Sequence, residues 1–87
     1  MQQFQGSVIT EQGVTFGIIV VEEHVLRDST QAANTQRWGM RVFGPMPVVL
    51  MAQDYRGVPT YLGRRDIVNF LANISMHRIP WKTYTLN

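Results

Sequence analysis

The 87-residue sequence predicts one α+β domain, a two-layer sandwich with a mixed sheet and the element order β-β-α-β-β-α-β. Three observations lead there. Two short runs, "FGIIVV" and "PVVLMAQ", are apolar at consecutive positions, as in strands buried on both faces. Each is joined to a neighbouring strand by a glycine turn, "EQG" or "DYRG". In "DIVNFLANI", Ile67, Phe70, Leu71 and Ile74 share one helix face by the i, i+3, i+4, i+7 rule.

Taken in order, "FQGSVIT" and "VTFGIIVVEE" form a hairpin across "EQG", with Gly13 supplying a positive φ. Gly17, inside the second strand, marks a close backbone approach or a bulge. Residues 28–43 admit two readings. Asp28 or Ser29 can cap a helix that Gly44 and Pro45 end, with Thr35, Trp38 and Val42 on one face. Alternatively "RWGMRVF" alternates as a strand, and Asn34, Thr35 and Gly39 are poor helix formers. The helix is preferred, and between two apolar strands it would make a right-handed crossover. "PVVLMAQ" is then a second central strand and "VPTYL" returns antiparallel to it. Pro59 cannot donate to a ladder and so belongs at an edge. After the amphipathic helix, "HRIPWKTYTLN" closes the chain with a short strand, a second edge.

Composition narrows the function classes. With no cysteine, the chain has no disulfide, thiolate chemistry or cysteine-ligated metal. The start, "MQQFQGSVITEQG", lacks the pattern of a signal peptide, and no apolar stretch has the length of a membrane span, so a cytoplasmic protein is expected. Charge is unevenly spread. Residues 1–53 carry a net −1, and residues 54–87, with Arg56, Arg64, Arg65, Arg78 and Lys82 against Asp54 and Asp66, carry +3. That excess suits a small anion better than nucleic acid, whose binders make several phosphate contacts.

The stretch "MPVVLMAQDYRGVPTYLGRRDIVNFLANI" resembles the C-terminal part of the thioredoxin-like fold. It has a strand after an X-Pro pair, a polar-glycine corner, a return strand, and a glycine leading into an amphipathic helix. Pro47 matches the position of that fold's cis-proline, and the missing CxxC motif leaves the redox activity behind. With "IPWKTYTLN", the same stretch is similar to small bacterial proteins, some carried on integron gene cassettes. That resemblance implies a compact, self-associating bacterial protein, and it assigns no function, because that group has no assigned activity.

The main candidate site is the start of the amphipathic helix. With Gly63 as N-cap, Arg64 and Arg65 are the first helical residues, at an end where cations are disfavoured. Asp66 can reach back to a free N–H, as half of a capping box. An anion there would meet backbone donors, the helix dipole and guanidinium groups together. Arg56 from the "DYRG" turn would join them, and Tyr61 would form a wall. The plainer alternative leaves both arginines solvated, or paired with Glu22 and Glu23 of a neighbour.

"EEHV" offers Glu22 and His24 on one face of a strand end, an acid/base pair for an active site between subunits. Two ligands do not make a metal site. Asp54 with an arginine is a further pair, and His77 suits the C-terminal end of the last helix. Trp38, Tyr55, Tyr61, Trp81 and Tyr84 suit a core or a subunit interface, or a stacking surface for bases. The reading favoured overall is a homo-oligomeric, non-catalytic binding or interaction module. It would need no cofactor and would hold a small anion at the second helix.

Overall fold

The computed structural model describes residues 2–86. Strand β1 (Gln2–Glu11) turns into β2 (Val14–Val20) through Gln12 and Gly13, both with positive φ, 52° and 80°. Such a two-residue turn matches the twist of the strands it joins. A short helix α1 (Glu23–Arg27) and a longer α2 (Ser29–Phe43) cross over to β3 (Val48–Gln53). Strand β4 (Pro59–Leu62), helix α3 (Arg65–Ala72), a 3-10 turn (Met76–Arg78) and β5 (Lys82–Leu86) follow.

One mixed five-stranded sheet runs in the order β4-β3-β2-β1-β5. The β2–α2–β3 crossover makes the parallel pair, with Ile18 beside Val49 and Ile19 beside Leu50. The other three pairings are antiparallel. This is the predicted α+β class with its single mixed sheet, and residues 28–43 take the helical alternative; the two layers expected become three, because β2 and β3 are apolar on both faces and each face takes helical cover. Asp28 caps α2 by accepting from the Gln31 N–H at 3.0 Å, and Gly44, at φ 108°, ends it.

The helices divide between the two faces of the sheet. Alternate residues of β2 and β3 point to opposite sides. Ile19, Val48 and Leu50 pack under Val25 of α1 and Ala32 of α2. Phe16, Ile18, Val49 and Met51 pack under Ile67 and Leu71 of α3, with Ile79. Each fully buried aliphatic side chain contributes about 1.5–3 kcal/mol over exposure. An eight-residue helix is marginal alone, so this packing is what holds α3 in place.

On the α2 face, Phe43 lies across Gly17. A Cβ on Gly17 would stand 2.4 Å from Phe43 Cδ2, so only glycine admits the ring. Phe43 meets Phe4 and Tyr84 edge-on, and Phe4 stacks on Tyr84 with ring centres 5.1 Å apart. These rings tie α2 to the β1–β5 side of the sheet.

Two local expectations are corrected, and the isomer of Pro47, left open by the sequence, is found. Glu22 and His24 are not a strand end. Strand β2 stops at Val20, Glu22 is the N-cap of α1 and His24 lies in that helix, because burying Val25 against the sheet turns the chain over the strand ends. His77 does not close α3. Asn73 does so, its side-chain amide donating to the Asn69 carbonyl at 2.7 Å, and His77 sits in the 3-10 turn. Pro47 follows a trans bond, as do all described residues.

Candidate functional site

Strand β4 leads directly into α3, so Tyr61, Gly63, Arg64 and Arg65 sit on one short segment. The N-cap is Arg64, one residue later than expected, with extended backbone (φ −58°, ψ 130°). Gly63 serves packing instead. A Cβ there would come within 2.9 Å of Val49 Cγ2.

Standing just outside the helix, Arg64 can bend back to Asp66. Its Nε and Nη2 donate to the two carboxylate oxygens at 2.7 and 2.8 Å, a bidentate pair. That hydrogen-bonded pairing, helped by the nearby N–H groups of Ile67 and Asp66, lowers the Asp66 pKa to about 2. The protein's own carboxylate thus occupies much of the donor set expected for a bound anion.

Arg56 lies at the opposite end of β4. Its N–H and its Nη2 both donate to Asp54, at 2.8 and 3.2 Å. The Val58 N–H also donates to Asp54, at 3.0 Å, and is the main reason the Asp54 carboxyl titrates below its usual range. Asp54 therefore shapes the "DYRG" turn.

Tyr61, Gly63 and Arg65 do come together. With Leu62, Val68 and Asn69 they line an open hollow of about 360 Å³. Arg65 is exposed and makes no ion pair among the described residues. The Tyr61 hydroxyl is buried without a hydrogen-bond partner, and burial pushes its pKa up. Arg64 lines a separate hollow of about 410 Å³, with Ser29, Ala33 and Gln36 of α2.

His24 Nδ1 and Glu22 Oε2 are 3.2 Å apart, and both side chains are largely in solvent. Among the described residues, no three His, Asp or Glu side chains group as a metal site would require, and no helix is long and apolar enough to cross a membrane.

The two sheet edges differ. Strand β4 has four residues and begins with Pro59, which has no N–H to offer. Its Leu62 carbonyl already accepts from Gln36 Nε2, at 3.4 Å. Strand β5 has five residues, contains no proline and carries one charge, Lys82. Thr83 and Thr85 are exposed, and Tyr84 and Leu86 are half-buried on the α2 face.

A feature not anticipated from the sequence lies on α2. Asn34, Arg37, Trp38 and Arg41 form an i, i+3, i+4, i+7 row along its outer side. Reading the helix for its polar stripe as well as its apolar one would have found it. Comparison with protein-family models, curated proteins and solved structures gives no match to this chain.

Proposed function

We propose that the protein is a non-catalytic, self-associating interaction module of the cytoplasm, in which two copies join their sheets edge to edge through β5. The open β5 edge carries this reading. It has no proline and, among the described residues, no side-chain hydrogen bond such as Gln36 makes to β4, and an uncovered edge is a template for another strand.

An antiparallel pair centred on Tyr84 is self-complementary. Thr83 faces Thr85 of the second copy, and Lys82 faces Leu86, so no like charges stand opposite. The methylene stem of Lys82 can lie over the leucine with its ammonium in water. The exposed setting of Glu22 and His24, with no third group among the described residues to orient them, supports a non-catalytic role. Sedimentation equilibrium tests the reading. A dimer at tens of micromolar is expected, and a strict monomer there overturns it.

A small anion beside Arg65 is a second role, favoured by a guanidinium at the first turn of α3 that makes no ion pair among the described residues. Asp66 competes for that position, so the binding is weak. Sulfate and phosphate should raise the melting temperature of the wild type and not of Arg65→Ala. Stabilisation that survives the substitution removes this role.

A further inference from the structure

Two adjacent hollows share Asn34 and Trp38 of the row on α2 and make a trough of two parts. The first, about 460 Å³, is lined by Gln3, Gln31, Asn34, Thr35 and Trp38. The second, about 610 Å³, is lined by Asn34, Arg37, Trp38, Met40 and Arg41. Among the described residues the first is lined by side-chain amides, a hydroxyl and an indole, with no ionisable group. The second holds two guanidinium groups one turn apart. Helix α2 has no acidic residue from Ser29 to Phe43 to neutralise them.

The arrangement specifies a ligand with two unlike parts. Trp38 is edge-on to Phe4, with ring centres 5.1 Å apart, which fixes its indole while part of the ring remains open to the trough. An aromatic wall beside amides that both donate and accept suits a planar heterocycle, stacked on the ring and hydrogen-bonded at its edge. A neutral sugar would use the amides and leave the arginines idle. A simple anion would use the arginines and leave the amides and indole idle. Arg37 is already oriented, donating to Asn34 Oδ1, which leaves the Asn34 amide nitrogen free to donate. Arg41 makes no ion pair among the described residues.

We infer that the outer face of α2 binds a nucleobase carrying a phosphate, with the base against Trp38 and the Gln31 and Asn34 amides and the phosphate between Arg37 and Arg41. This site lies on different residues from the β5 edge and stands independently of self-association. A free nucleotide and a nucleotide within a single strand share this chemistry.

Two-dimensional ¹H–¹⁵N NMR tests it, because the two indole N–H groups report on opposite faces. Trp81 packs on the α3 side and donates to the Met76 carbonyl at 3.0 Å. Trp38→Phe assigns the signals. Titration with the common nucleoside monophosphates should move the Trp38 indole signal and leave that of Trp81 in place. Binding of at least one of them should be about tenfold tighter than that of its nucleoside or of inorganic phosphate. Arg37→Ala and Arg41→Ala, both surface changes, should each weaken it about five- to tenfold. Tighter binding of a short single-stranded oligonucleotide assigns the site to strands, and equal or weaker binding assigns it to free nucleotides. A Trp38 signal unmoved by millimolar nucleotide, or affinity untouched by both arginine substitutions, overturns the proposal.

Discussion

Arg64 holds Asp66 by two parallel hydrogen bonds of 2.7 and 2.8 Å, from a position just outside the helix that Asp66 helps to open. This accounts for an arginine at the positive end of a helix dipole. Its charge is met by a carboxylate that is itself favoured there. The pair gives a pH signature. The Asp66 pKa, about 2 in the folded protein, lies below its ordinary 3.8. Its contribution is therefore complete above about pH 3.8 and is lost as pH falls from there through about 2. Melting curves should show wild type and Asp66→Asn converging across that window. A gap that stays constant would show that the pair does not matter to folding.

Phe43 and Gly17 should be strongly coupled. Gly17→Ala puts a methyl group where the ring lies, 2.4 Å from Cδ2, and the ring is hemmed in by Phe4 and Tyr84. Urea unfolding should show a loss of about 1–3 kcal/mol. Phe43→Leu should cost less in the Gly17→Ala background than in the wild type, with coupling above about 0.5 kcal/mol. Simple additivity would mean that the ring escapes without cost.

Signals of regular period were legible in the sequence, and tertiary spacing was not. The doubly apolar runs of β2 and β3 gave the parallel centre, and they also required cover on both faces, which α2 and α3 provide from opposite sides. Helix α1 was hidden because five residues are too few to show a period, so Glu22 and His24 looked like a polar strand end. Gly63 was legible as a special position, but its reason, the nearness of Val49, belongs to the folded chain. Arg56 sat near Arg64 in sequence, and the length of β4 keeps them apart.

Ser7 is 1% exposed, and its hydroxyl donates to the Pro80 carbonyl at 3.1 Å, fixing the chain where it enters β5. Ser7→Ala should cost about 1–2 kcal/mol in chemical denaturation, the cost of a carbonyl left without its donor. It should also speed amide exchange in β5 more than in β3. A neutral substitution would show that water replaces the hydroxyl.

Tyr61 gives the opposite expectation. Its hydroxyl is buried with no partner, so Tyr61→Phe removes a desolvated polar group and loses no bond. Stability should be unchanged or rise by up to about 1 kcal/mol. A clear loss would show that the hydroxyl has a bonding partner in solution.

The central claim is that β5 is the surface through which two copies meet. Sedimentation velocity on wild type and on Thr83→Lys/Thr85→Lys addresses it most directly, because both threonines are exposed and would face each other across the two-fold axis. The account predicts a dimer for the wild type. The folded double variant should be a monomer, since lysines then stand opposite lysines. A double variant that sediments as the wild type does would place any interface elsewhere and contradict it.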